Sequence, residues 1–114
     1  MKTLLIWPIT YLGHDLELVA EGDGSAFFFN RSKFSQEVRN SSVRMMEEIH
    51  YGYPSDYRYP VDIPVTLYLT LREKADKLDS VGYLSEKEEH AVDRQILQLF
   101  NNQVAPLILT PSPQ

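Results

Sequence analysis

Along the chain apolar residues first alternate with polar ones and later recur at helical spacing, and the change of period divides the sequence into elements. Residues 3–12 are rich in Leu, Ile, Trp, Thr and Tyr and end at Gly13, the composition of a strand. Pro8 inside that run lacks a backbone donor, which places the strand at a sheet edge or at a bulge. Leu16, Leu18 and Ala20 alternate with Glu17 and Glu21, and the turn cluster Glu21-Gly22-Asp23-Gly24 is followed by Ala26-Phe27-Phe28-Phe29. This order predicts a β-hairpin, in which the Asp-Gly pair supplies positive φ at little cost.

Helical spacing begins after Asn30. The stretch from Asn30 to Ser35 offers several N-cap residues, and Phe34, Val38, Met45 and Ile49 share one helical face. Asn40-Ser41-Ser42 weakens the middle of that helix, since short polar side chains compete for backbone groups. Between Tyr51 and Pro64 the composition shifts to Tyr, Pro and Gly, which suits an extended, locally stiff connection. Ile63, Val65, Leu67 and Leu69 then alternate with polar or small positions, and Leu67, Leu71, Ala75 and Leu78 also fit a helical face. The pattern Thr70-Leu71-Arg72-Glu73 matches a capping box, so the expectation is a strand over 62–69 and a helix over 71–79.

Gly82 suits the left-handed end of a helix, and Ser85-Glu86-Lys87-Glu88 repeats the capping-box pattern. A second helix is therefore expected from there to about Asn102, with Ala91, Ile96, Leu97, Leu99 and Phe100 as its apolar contacts, antiparallel to the preceding helix. Val104-Ala105-Pro106-Leu107-Ile108-Leu109 reads as a last edge strand, and 110–114 as a loose tail. The element order predicts an α+β fold: one domain over 1–109, with a small, mostly antiparallel sheet carrying about three helices on one face.

Composition narrows the function classes. With 114 residues, 43% of them hydrophobic and 24% charged, the chain has enough apolar surface for a core of its own. The absence of cysteine excludes disulfide scaffolds, thiolate zinc sites and cysteine nucleophiles. A net charge of -5 disfavours nucleic acid and anionic membranes as partners, since both require clustered cations. The opening Met1-Lys2-Thr3-Leu4-Leu5-Ile6-Trp7 has the charge and apolar run of a short secretory signal. Pro8 interrupts the run, Asp15 and Glu17 follow where a cleavage region should be uncharged, and a buried strand in a cytoplasmic protein is the expectation.

Lys77 to Glu88 carries the glycine, following apolar residue and terminal glutamate of a calcium-binding loop, and over that one loop it is similar to the EF-hand family. Lys77 stands where the first carboxylate ligand belongs and Val81 has no ligating side chain, so neither calcium nor another cofactor is expected. His14, His50 and His90 show no i, i+4 pairing for a metal. Ser25 lacks the Gly-x-Ser-x-Gly frame of a nucleophile, and the chain has no phosphate-binding glycine loop.

Tyr51, Tyr53, Tyr57 and Tyr59, with Asp56 and Arg58, form the most unusual cluster in the chain. Rigid aromatic and Arg side chains dominate binding hot spots, so this loop is a candidate recognition surface, and a packed cover over the sheet edge is the structural alternative. Glu86 and Glu89, with Glu88 and Asp93, form a second, acidic candidate surface that equally well caps a helix. The resulting expectation is a small acidic module that binds and inhibits or regulates a basic protein, comparable in size and charge to immunity proteins, antitoxins and phage inhibitors. The alternatives are a small hydrolase or isomerase with a pocket around His14 or His50, and an accessory subunit that forms a homodimer through the uncharged segment from Gln95 to Leu109.

Overall fold

The computed structural model describes residues 2–39 and 53–109. Strands β1 (Thr3–Tyr11), β2 (His14–Glu21), β3 (Ala26–Asn30) and β4 (Arg58–Val61) form one antiparallel sheet in the order β1-β2-β3-β4. Helix α1 (Arg31–Arg39) follows β3 directly, a 3-10 turn at Ser55–Tyr57 leads into β4, and α2 (Val65–Val81), α3 (Glu86–Gln103) and α4 (Ala105–Leu109) complete the described chain. The fold is α+β, as its sequence pattern predicts.

The first hairpin turns on Leu12-Gly13, whose φ angles are +48° and +81°. Positive φ at both central residues matches the right-handed strand twist. Tyr11 pairs with His14 across this two-residue turn and is therefore a hydrogen-bonded pair. Because such pairs alternate along an antiparallel ladder, Ile9 and Trp7 also bond toward β2, whereas Thr10, Pro8 and Ile6 direct their backbone groups to the open edge. The missing donor of Pro8 thus falls on the side that has no neighbouring strand among the described residues. The second hairpin is held by Asp23, whose Oδ1 accepts from Ser25 N at 3.0 Å and Ser25 Oγ at 2.7 Å, and by Gly24 at φ +92°. These two donors hold the Asp23 carboxyl below its ordinary range.

One sheet face is covered by α2, α3 and α4. Leu5, Ile9, Leu16, Leu18, Phe28 and Val61 meet Leu67, Leu71, Val92, Ile96 and Phe100 there in one continuous cluster. The opposite face carries a smaller cluster in which Phe29 packs with Phe34 of α1 and Tyr57 of the 3-10 turn. Asn30, 7% exposed, joins strand to helix, and its Oδ1 accepts from Lys33 N at 3.0 Å as the cap of α1. The expected apolar face of that helix extends to Met45 and Ile49, which lie outside the described residues.

Three expectations need correction. The strand expected over 62–69 is instead the start of α2. Helical geometry buries Leu67, Leu71 and Ala75 four residues apart and leaves Val65 and Leu69 73% and 55% exposed, so the alternating pattern has no buried face to serve. Thr70 is no N-cap, since its hydroxyl donates back to Thr66 O at 3.0 Å; Pro64, in extended geometry, precedes the first helical residue. The fourth strand lies within the segment expected to be an extended connection, where Phe28 pairs with Tyr59 and Phe27 with Pro60. It is the outer strand, where a proline is tolerated. Finally, Val104 and Ala105 are buried at the turn into α4, and the expected edge strand over 104–109 is this short helix, with Pro106 in its first turn, where no intrahelical donor is needed.

The helical hairpin forms as expected. Gly82 ends α2 at φ +93°, Ser85 Oγ accepts from Glu88 N and Glu88 Oε1 accepts from Ser85 N, both at 3.1 Å. At the other end Gln103 clamps Asp62, accepting from its N–H and donating to its carbonyl at 2.8 Å each, so α3 runs back along α2.

Replacing Ser85 with Ala removes one half of the capping box and is expected to lower stability by about 1 kcal/mol in urea denaturation. Leu12→Asn is expected to act in the opposite direction, raising the denaturation midpoint by an equivalent of about 1 kcal/mol, because a left-handed backbone strains Leu and suits Asn.

Candidate functional site

Strand alternation sends Phe27 and Phe29 to the face opposite the three-helix layer, and there Tyr53 and Tyr57 of the tyrosine loop are used in packing. Phe29 is fully buried and contacts Tyr53, Phe34 and Tyr57 edge-to-face at centroid distances of 4.8, 5.3 and 6.1 Å. Tyr57 is 2% exposed, and its hydroxyl donates to Glu37. Its ring therefore belongs to the interior. Tyr53 is half-buried against Phe27 and Phe29, and Tyr59 joins the helix-side cluster. Asp56 and Arg58 are exposed, with the Arg58 guanidinium 4.6 Å over Phe27 and its Nε donating to the Tyr53 carbonyl. Tyr51 lies outside the described residues.

Arg31 ties this face together, and nothing in the sequence pattern marks it. Its guanidinium lies 4.6 Å over Phe29 and 5.6 Å over Tyr53, and Nε donates to Glu17 Oε2 at 2.7 Å. The Glu17 hydrogen bond raises the Arg31 pKa, while burial first and the neighbouring carboxylate second push the Tyr53 hydroxyl up. A cation sandwiched between an aromatic cluster and a carboxylate is a positioning device for the connection that carries Tyr53.

The acidic start of α3 is divided in use. Glu86 and Glu89 are exposed beside the positive end of the helix dipole. Glu88 receives Lys74 Nζ at 2.9 Å and Lys77 Nζ on its other oxygen, in addition to the Ser85 N–H. Lys77 occupies the position of a calcium loop's first ligand, and it pairs with the carboxylate that such a loop would use last. These partners, Lys77 foremost, hold the Glu88 carboxyl far below its ordinary value.

His14 and His90 are both exposed, and His50 lies outside the described residues. His90 borders a 420 Å³ depression with Asp93 and Arg94. Among the described residues no group of three or more His, Asp or Glu side chains is placed to hold a metal ion, and no helix is long and apolar enough to cross a membrane. The uncharged segment from Gln95 onward commits Ile96, Leu99, Phe100, Val104 and Ala105 to the protein's own core and leaves Leu107 70% exposed.

A larger concavity, of 490 Å³, lies along the second half of β1. Pro8, Ile9, Thr10, Leu16 and Leu97 supply apolar and hydroxyl walls, and Asp15, Glu17 and Asp93 supply carboxylates. Asp93 Oδ1 accepts from the Trp7 indole at 2.6 Å, which fixes α3 against β1, and Asp15 N–H donates to Ser32 Oγ at 2.8 Å. Glu17 is ion-paired with Arg31, whereas among the described residues neither Asp15 nor Asp93 has a cation within salt-bridge distance. Among the described residues that line this concavity there is no imidazole or lysine, and its hydroxyl, Thr10 Oγ1, donates to Asp15 Oδ1 at 3.5 Å, the long limit of a hydrogen bond. Periodicity assigns Asp15 and Asp93 to solvent-facing positions; that both border this concavity depends on α3 crossing β1.

Glu88 yields a pH test with a defined sign. Its folded-state pKa is depressed below the ordinary 4.5, so its stabilisation is complete above that value and is lost as the pH falls. The melting-temperature gap between the native protein and Glu88→Gln is expected to be constant near neutral pH and to close progressively on acidification; a gap unchanged at about pH 2 would contradict this role.

Comparison with protein-family models, with curated proteins and with solved structures finds no match to this chain.

Proposed function

We propose that this protein is a small acidic binding module that docks on, and thereby inhibits or regulates, a protein with a basic surface. The observation that carries the reading is the concavity beside β1, where Asp15 and Asp93 present carboxylates without a cation partner among the described residues, on largely apolar walls. A cleft with carboxylates and low-dielectric walls focuses a negative potential, which raises the encounter rate with a cationic partner and rejects acidic ones. The overall charge of -5 acts in the same direction. The exposed Asp56, Glu86 and Glu89 add to the acidic surface, while Arg58 is its exposed cation on the tyrosine loop. A binding role also accords with Tyr53 and Tyr57 serving to stiffen the sheet's second face, since a rigid surface loses little entropy on association.

The test is affinity capture at low salt from the lysate of the encoding organism, followed by titration of the purified partner. The expected partner is a single basic protein bound in 1:1 ratio, with affinity falling steeply as salt rises and at least about tenfold weaker for Asp15→Lys. An acidic partner, or one indifferent to both salt and Asp15→Lys, would overturn the reading.

A further inference from the structure

We infer that the open edge of β1 receives an extended segment of the partner as a fifth strand, and that this segment carries two consecutive basic residues, one for each face of the sheet. The inference rests on the acidic-module reading and adds to it a mode of binding and a ligand class.

Strand β1 is nine residues long and among the described residues has β2 on one side only, and its Pro8 directs its missing donor to the free side, whereas the other outer strand, β4, has only four residues, one of them a proline. A long edge with free backbone groups is a template for strand addition, and short or proline-bearing edges are protected from it. The two-residue turn sets which groups are free: the N–H groups of Ile6 and Thr10 and the carbonyls of Ile6, Pro8 and Thr10 point away from β2. Among the described residues none of these backbone groups bonds to a loop or side chain. Ile6, 44% exposed, adds an apolar contact beside this edge.

The carboxylates stand on both sides of the same edge. Trp7 and Ile9 face the helices, and Asp93 is bonded to the Trp7 indole on that side. Thr10 pairs with Asp15 and Pro8 with Glu17, which puts Asp15 and Glu17 on the opposite side. In an added strand successive side chains alternate between these two sides. Adjacent Lys or Arg residues opposite Pro8 to Thr10 would therefore direct one cation toward Asp93 and the next toward Asp15, while the backbone bonds to Ile6 and Thr10.

A second copy of the chain fits the edge poorly. Antiparallel pairing of two β1 strands would bring the Asp15, Glu17 and Asp93 sets of both copies together, and the missing donor of Pro8 would interrupt the shared ladder twice. The charge pattern selects a cationic segment of a different protein.

A random linear heptapeptide library displayed on phage is the probe, selected against the full chain and followed by synthesis of the most enriched peptide. Adjacent Lys or Arg pairs are expected among the enriched sequences. Saturating synthetic peptide is expected to slow amide hydrogen exchange at Ile6 and Thr10 at least about tenfold, with Trp7 and Ile9, already bonded to β2, changing little. The double variant Asp15→Asn, Asp93→Asn retains an oxygen acceptor for the Trp7 indole and is expected to weaken the peptide at least about tenfold. Unchanged protection of Trp7 and Ile9 in that variant shows that its ladder is intact; if that protection is lost, the comparison is made with Asp15→Asn alone. Basic peptides that bind without slowing exchange at Ile6 and Thr10 would overturn strand addition and leave the acidic-module reading standing. Enrichment without basic residues, or no enrichment, would overturn the inference, and the 1:1 capture experiment then decides the acidic-module reading separately.

Discussion

Phe28 and Phe29 are neighbours in sequence, both have no exposed surface, and strand geometry points them to opposite faces of the sheet. Each aromatic side chain contributes about 2 to 3 kcal/mol only if it is withdrawn from water, so a four-stranded sheet built around β3 requires cover on both faces. On one side Phe28 meets Phe100 at 5.2 Å, edge-to-face, and the three-helix layer closes over it. On the other, α1 and the 3-10 turn bring Phe34 and Tyr57 to Phe29. The unusual composition of the tyrosine loop follows from this demand: part of it is a lid for the second face.

That lid has electrostatic consequences. Arg31 lies over Phe29 and Tyr53 while bonding Glu17, so a charge on β2, an aromatic on β3 and the start of α1 are held in one arrangement. Glu17 is thereby neutralised locally. Asp15, two residues away on the same side of β2, and Asp93, across the edge on α3, are left to define the field of the concavity beside β1. The function proposed for the surface thus depends on how the interior was closed: carboxylates engaged in packing are spent, and those at the open edge are available.

Several features were legible locally. The hairpin at Glu21–Gly24, the end of β1 before Gly13, the left-handed Gly24 and Gly82, a cap for α1 within 30–35 and the Ser85-Glu88 capping box depend on residues within a few positions of one another, and short-range stereochemistry decides them. The start of α2 was not legible in that way. Ile63, Val65, Leu67 and Leu69 satisfy a strand period and Leu67, Leu71 and Ala75 a helical one, and only the presence of Leu18, Phe28 and Phe100 on the facing surfaces rewards the second. The apparent capping box at Thr70 to Glu73 was outweighed by continuation of the helix through it.

The amino-acid sequence by itself determined the class of the fold, the places where the chain turns, the caps of α1 and α3, and an acidic, cysteine-free surface, because propensity, turn stereochemistry and charge act over a few residues. Tertiary structure decided that residues 65–69 are helical, that β4 occurs at 58–61, that Tyr57 is interior, and that Asp15 and Asp93 border one concavity beside β1. Each of these depends on partners distant in sequence, such as Trp7 with Asp93 and Asp62 with Gln103, and no local signal encodes the energy of a contact whose other half lies on another element.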